Sequence, residues 1–203
     1  MLDIFNKFID YILPPHPSVL ALRQEKSDNF IRFFAPQKYG NCFTLSEYHN
    51  KLINSAIIAN KFHNDRHASK LLAVLLDQWL YTLPKKQTVF IPIPLSKQRE
   101  KERGYNQVLN ILQAMETREN VSIINLLHKA KDTTPQTKLN RQERLNNMTN
   151  VFVFSSANLT LQDKRLVLVD DVVTTGTTMR SAYQVLSENV PKDTEIICLA
   201  LAH

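Results

Sequence analysis

An α/β fold built on an open parallel sheet flanked by helices is the architecture this sequence predicts. Three observations carry that expectation. Short apolar runs of strand character alternate with stretches at helical spacing along the chain. One run, Leu166-Val167-Leu168-Val169, is four aliphatic residues in succession, the pattern of a strand buried on both faces. Two carboxylates, Asp170 and Asp171, stand at its C-terminal end, which is where open parallel sheets bind ligands.

The elements follow in order. Residues 1–13 carry Phe5, Phe8, Ile9 and Ile12 at helical spacing and stop at Pro14-Pro15. Such a helix packs on its own domain or touches a membrane surface or partner. Residues 16–48 mix aromatics with turn signals at Pro36 and Gly40-Asn41, and read as an irregular or small β element. Residues 49–60 show helical spacing through Leu52, Ile53, Ala56 and Ile57, interrupted by 61–65. Asn64 or Asp65 is an N-cap for an amphipathic helix with Ala68, Leu71, Leu72, Leu75, Leu76 and Trp79 on one face. Thr88 to Pro94 reads as a strand ending near Pro92. A charged loop, 95–107, runs into a helix carrying Val108, Leu109, Ile111 and Leu112. Ile123 to Leu127 is a short apolar run, 128–150 is polar and basic, and Val151 to Phe154 returns to strand. After the central strand come a helix from about Met179 and a last strand, Glu195 to Leu201.

With 203 residues the chain holds one good-sized domain, or a domain with a small appendage. The division expected is an N-terminal region, 1–48, before a main domain, 49–203. Net charge is +6 and the pI about 9.3, a balance that favours anionic partners. Cys42 and Cys198 lie far apart in sequence, and Cys198 sits in a strand-like apolar run as an inert thiol. No disulfide framework is readable, and a reducing cytosol is the default. No stretch is apolar and long enough to span a bilayer. Asp3 and Asp10, without a basic leader, make the N-terminus a poor signal peptide.

After Asp170-Asp171 come Thr174, Thr175, Gly176, Thr177 and Thr178, then a helical stretch. A loop feeding a helix turns backbone N–H groups toward the positive end of the helix dipole and favours phosphate. Threonine hydroxyls add donors, and Gly176 allows close backbone approach. The paired carboxylates accept from hydroxyls. A ribose phosphate has both features. No Lys-Ser or Lys-Thr follows Gly176, and no Gly-x-Gly-x-x-Gly occurs among the three glycines, so the common nucleotide loops are excluded.

Two further segments carry chemistry. Pro92-Ile93-Pro94-Leu95 is followed by Arg99 and by Arg103-Gly104-Tyr105-Asn106-Gln107, which places cations and a glycine between a strand and a helix, as an anion site requires. Glu100 and Glu102 partly neutralise them, and on charge alone a solvated loop is the stronger reading. The second segment contains Thr134, Gln136, Lys138, Arg141, Arg144 and Asn147. A polar excursion of this length is the type that closes over a phosphorylated ligand as a flexible basic loop.

The central string resembles the PRPP-binding motif of type I phosphoribosyltransferases. Together the three segments resemble the ComF family, phosphoribosyltransferase-like proteins of bacterial competence. The resemblance covers about residues 50–203 and includes Lys61-Phe62-His63. It implies a type I phosphoribosyltransferase-like open parallel sheet with a small N-terminal element. It implies that Asp170 and Asp171 hold the ribose hydroxyls, that Thr174 to Thr178 wrap the 5′-phosphate, and that Arg99, Arg103 and Gly104 meet pyrophosphate. Mg²⁺ would accompany PRPP. Ser96 stands where many members have histidine. Members usually carry paired Cys-x-x-Cys motifs near the N-terminus. Here Pro14-Pro15-His16 stands in that place and only Cys42 remains, so no structural zinc is expected.

The resemblance implies a cytoplasmic competence protein, or one peripheral to the inner membrane. Its PRPP site would support handling of transforming single-stranded DNA beside the DNA-translocation machinery. The alternative is a metabolic phosphoribosyltransferase acting on a small nitrogenous base. A PRPP sensor without turnover ranks last, since no helix-turn-helix segment is evident. The sequence names no general base and no acceptor.

Overall fold

The computed structural model describes residues 15–130, 151–155 and 160–203. The N-terminal helical stretch 1–13 and the basic segment from Thr134 to Asn147 lie outside the described residues.

Eight strands are described: β1 (Gln37–Tyr39), β2 (Cys42–Ser46), β3 (Thr88–Pro92), β4 (Val121–Ile123), β5 (Leu127–Lys129), β6 (Phe152–Phe154), β7 (Arg165–Val172) and β8 (Glu195–Ala202). Six form one sheet in the order β1-β2-β8-β7-β3-β4, and β5 and β6 pair as a separate antiparallel ribbon. Within the main sheet every pairing is parallel except that of β1 with β2. The expected α/β architecture with a mostly parallel sheet is therefore the architecture found. Residues 37–46, from the segment expected to be irregular or a small β element, supply two strands of this sheet.

β7 shows why a continuous aliphatic run belongs at the centre. Val167 and Val169 point into the core on one face, Leu166 and Leu168 into the core on the other, and all four are fully buried. On the first face pack α1 (Pro17–Leu22), α3 (Lys51–His63), α4 (Arg66–Tyr81) and α6 (Gln107–Ala114); the short α2 (Ser27–Phe30) also lies there. On the second pack α7 (Thr177–Asn189) and the β5–β6 ribbon.

The helix ends follow their side chains. Asn50 caps α3 by accepting from the Leu52 and Ile53 N–H groups. The helix runs through Lys61-Phe62-His63 and stops at Asn64, which adopts a left-handed conformation at φ 48°. Asp65 then caps α4 through the Ala68 N–H at 2.7 Å, and the predicted apolar face of α4 is buried. Residues 97–103, expected as loop, form a short helix, α5 (Lys97–Arg103). Ser96 caps it at one end and Gly104, at φ 75°, ends it at the other.

Candidate functional site

The site begins at the C-terminal end of β7. Asp170 accepts the Asp171 N–H on Oδ1 at 2.8 Å, and Asp171 accepts the Val172 N–H on Oδ1 at 2.8 Å. Each carboxylate is thus tied to the next backbone unit. The loop after β7 reaches Gly176, which stands at the N-cap of α7 at φ 71° with no side-chain cap, leaving the first-turn N–H groups open to a ligand. A Cβ there would meet only Val173 Cγ2 at 3.9 Å, so the backbone angle rather than crowding calls for glycine. Thr175 and Thr177 join their hydroxyls at 3.0 Å on the outer side of the loop.

A cavity of about 730 Å³ lies over this end of the sheet. Asp170, Asp171, Thr174 and Thr178 form one wall. Ser96, Arg99 and Lys129 stand on a second, and Tyr48, His49 and His203 close a third. Thr175 and Gly176 face a neighbouring groove of about 460 Å³ that Cys42, Cys198 and Arg180 also line. Of the cationic segment, Arg99 reaches the cavity, whereas Arg103 and Gly104 are not among its walls. Arg103 donates to Gln107 Oε1 at 3.0 Å and lies 5.2 Å from the Phe62 ring centre. Gly104 serves as the end of α5.

The rest of that segment is a brace. Asn106 caps α6 and donates through Nδ2 to the Ile93 carbonyl, fixing the turn after β3. Gln107 donates through Nε2 to Asp171 Oδ2 at 3.1 Å, and its carbonyl accepts from Asn60. Lys61, near the end of α3, places Nζ 3.2 Å from the same Asp171 oxygen. Asp171 is buried and held by three donors.

Asp170 is different. It is only partly buried and faces the cavity. Desolvation, with the negative neighbour Asp171 next in importance, pushes its carboxyl up to about 7. Lys61 pulls in the opposite direction. Cys42 and Cys198 stand side by side on β2 and β8, both buried. Burial raises them to about 12 and about 11 respectively, with Cys198 and Asp170 adding to the shift at Cys42.

Sequence reasoning did not single out Tyr48, His49 or His203 as cavity residues, nor Lys61 as a partner of Asp171, whereas Lys129, expected with the 129–144 loop to face pyrophosphate, does line the cavity. A usable signal exists for some of them. Tyr48-His49 follow β2 and His203 follows β8, so both stand at the ligand-binding edge of parallel strands.

The phosphoribosyl transferase domain family matches residues 111–203. Competence protein ComFC of Bacillus subtilis is 33% identical over 105 residues, 52% of this chain and 40% of that protein. ComFC of Streptococcus pneumoniae is 30% identical over 151 residues, 74% and 64% of the two chains. Competence protein F of Haemophilus influenzae is 29% identical over 153 residues, 74% and 67%. The chain therefore spans less than two thirds of the first two relatives. A hypoxanthine phosphoribosyltransferase from Staphylococcus aureus overlaps 68% of each chain at 16% identity and a TM-score of 0.39, too distant a likeness to carry an argument. The chain is thus similar to competence proteins of the ComF type, and its residues 111–203 match a phosphoribosyl transferase domain.

Proposed function

We propose that this cavity binds PRPP with Mg²⁺, and that the site serves a competence protein supporting the handling of transforming single-stranded DNA. The observation that carries the reading is a single cavity lined by Asp170, Asp171, Thr174, Thr178 and Arg99. Carboxylates suit ribose hydroxyls, Thr174 and Thr178 beside the start of α7 suit the 5′-phosphate, and Arg99 suits pyrophosphate. In this reading Thr174 to Thr178 wrap the phosphate. Arg103 supports the site from behind, and the segment from Thr134 to Asn147 supplies further cations. The acidic wall suits a ligand that arrives with a divalent cation chelated by its own oxygens, which is how Mg²⁺ usually binds phosphates. Mg²⁺ would supply charge neutralisation at the leaving pyrophosphate.

The names of the relatives support the competence role, and the basic balance suits phosphate contacts to DNA. No helix among the described residues is long and apolar enough to cross a membrane. We place the protein in the cytoplasm, with the inner-membrane translocation machinery as its partner. The first test is calorimetric titration of PRPP with Mg²⁺ into wild-type protein and into Asp170→Asn/Asp171→Asn. Binding by the wild type alone is expected. Absence of binding by folded wild-type protein would overturn the site assignment. Single-strand binding that falls steeply with salt is expected of the DNA role, and no binding at low salt would remove it.

The intact carboxylate pair and loop equally favour a second reading, a phosphoribosyltransferase acting on a small nitrogenous base. The aromatic wall of Tyr48, His49 and His203 beside Asp170 is where such a base would fit. Steady-state release of pyrophosphate with one of a panel of bases would select this reading over the first.

A further inference from the structure

We propose that Lys61 is a positioning residue that divides the work of the two adjacent carboxylates: it anchors Asp171 as a strut and leaves Asp170 to meet the ligand. The inference deepens the PRPP reading and rests on it for the identity of the ligand.

Donor geometry makes the case. A carboxylate offers about four acceptor positions. Asp171 uses three: Lys61 Nζ and Gln107 Nε2 on Oδ2, and the Val172 N–H on Oδ1. Its side chain is 6% exposed, so at most one position remains for a ligand. Among the described residues Asp170 accepts one backbone N–H, that of Asp171 on Oδ1, and its side chain lines the cavity. The strut joins three elements at one carboxylate: β7 directly, α3 through Lys61 and α6 through Gln107. Gln107 is in turn fixed by Arg103 at its side chain and by Asn60 at its backbone. Two carboxylates on neighbouring residues repel each other, and without a cation their side chains would separate. Lys61 neutralises the pair from one side and sets which of the two faces inward.

Lys61 has a second property that a purely structural lysine lacks. Its side chain is 25% exposed and lines the same cavity, so its charge acts on Asp170 as well. The other groups near Asp170 are Asp171 on its own strand and Cys42 on β2, and Arg99, Lys129, His49 and His203 line the same cavity. Loss of the Lys61 charge therefore has a specific signature: Asp170 takes up its proton at higher pH, and ligand binding that needs the ionised carboxylate moves with it.

The test compares Lys61→Gln, which keeps a donor of similar reach, with Lys61→Arg, which keeps the charge. Carboxyl carbon NMR of unligated protein, assigned with Asp170→Asn, reads the Asp170 titration. Lys61→Gln should raise its midpoint by about one pH unit or more, and Lys61→Arg should leave it near the wild-type value. Calorimetry with Mg²⁺ and PRPP between pH 6.5 and 9 gives the second readout. Lys61→Gln should bind about tenfold more weakly at neutral pH and recover as the pH rises, while Lys61→Arg binds as wild type. An Asp170 titration in Lys61→Gln that superimposes on the wild type overturns the proposal. A shifted titration in a protein whose wild type does not bind PRPP would keep the strut and reject the ligand. A binding loss of the same size at every pH, in both variants, would make Lys61 a direct ligand contact and also overturn the proposal.

Discussion

The Tyr105 hydroxyl accepts the Asn64 backbone N–H at 3.0 Å, which fastens the segment after α5 onto the last turn of α3. The same hydroxyl donates to the Asn60 carbonyl at 3.0 Å, and Asn110 grips the Asn64 side chain at 2.7 Å. Asn64 is the left-handed residue that ends α3, and Lys61 precedes it by less than one turn. This contact therefore holds Lys61 over Asp171. Tyr105→Phe keeps the ring and deletes both hydroxyl bonds. A loss of about 1–2 kcal/mol is expected, a fall of roughly 2–8 °C in melting temperature for a chain of this size. Thermal unfolding followed by circular dichroism measures it, and an unchanged midpoint would show that the hydroxyl bonds carry no net stability.

The raised carboxyl of Asp170 links stability to pH in an unusual direction for an aspartate. In the unfolded chain it titrates near its ordinary value of 3.8, in the folded protein near 7. Between these values the native state holds a proton that the unfolded state has lost. Stability therefore falls as the pH rises from about 4 to 7, and the full cost is present above 7. At about 1.4 kcal/mol per unit the ceiling is about 4 kcal/mol. Asp170→Asn removes this dependence and should be more stable than wild type at pH 8, with the gain vanishing near pH 4. Denaturant unfolding across this range decides the matter; a constant difference between the two proteins would contradict the linkage.

The parts of the fold that were legible are those whose signal is local. β7 could be read from four aliphatic residues in a row, and α4 from an apolar face at helical spacing beginning at Asp65. The turn into α7 could be read because Gly176 and its threonines are contiguous. α5 was not legible, since Lys97 to Arg103 contains no apolar residue to mark a face. Its caps, Ser96 and Gly104, were in plain sight but were masked by the charge pattern. The role of Arg103 to Gln107 was legible as a motif and illegible as geometry. Cations between a strand and a helix suggest an anion site, yet Tyr105 works on α3, Asn106 on the turn after β3 and Gln107 on Asp171. Those partners lie 13 to 64 residues away, beyond any local pattern. Lys61 escaped for the same reason: its partner is on a strand that enters the sheet much later in the chain.

Cys42 and Cys198 face each other across β2 and β8, yet both should be inert in the native protein. Thiol reactivity follows the thiolate fraction, and burial shifts both groups up, to about 12 and about 11. At pH 8 the thiolate fraction of Cys198 is roughly 100-fold below that of a free thiol, and that of Cys42 is lower still. Exposure to a chromogenic disulfide reagent should modify neither residue in native protein on the timescale that modifies both in guanidinium. Rapid stoichiometric labelling of folded protein would mean that the β2–β8 edge opens readily.

Gly176 separates backbone strain from ligand recognition, because the chain contains a matched control. Gly176 lies at φ 71° with a Cβ's nearest neighbour 3.9 Å away, and Gly40, in the turn between β1 and β2, lies at φ 58° with nothing within 4 Å. Valine at either position pays a similar left-handed strain of about 1–2 kcal/mol, so both variants should fold with slightly lowered melting temperatures. Only Gly176 stands at the open N-terminus of α7, where the proposed 5′-phosphate would approach the backbone. Gly176→Val should therefore lose the calorimetric signal for PRPP with Mg²⁺ while Gly40→Val retains it. Equal binding by the two variants would remove the phosphate loop from the site. Equal loss would trace the effect to general destabilisation, and the melting temperatures would reveal that directly.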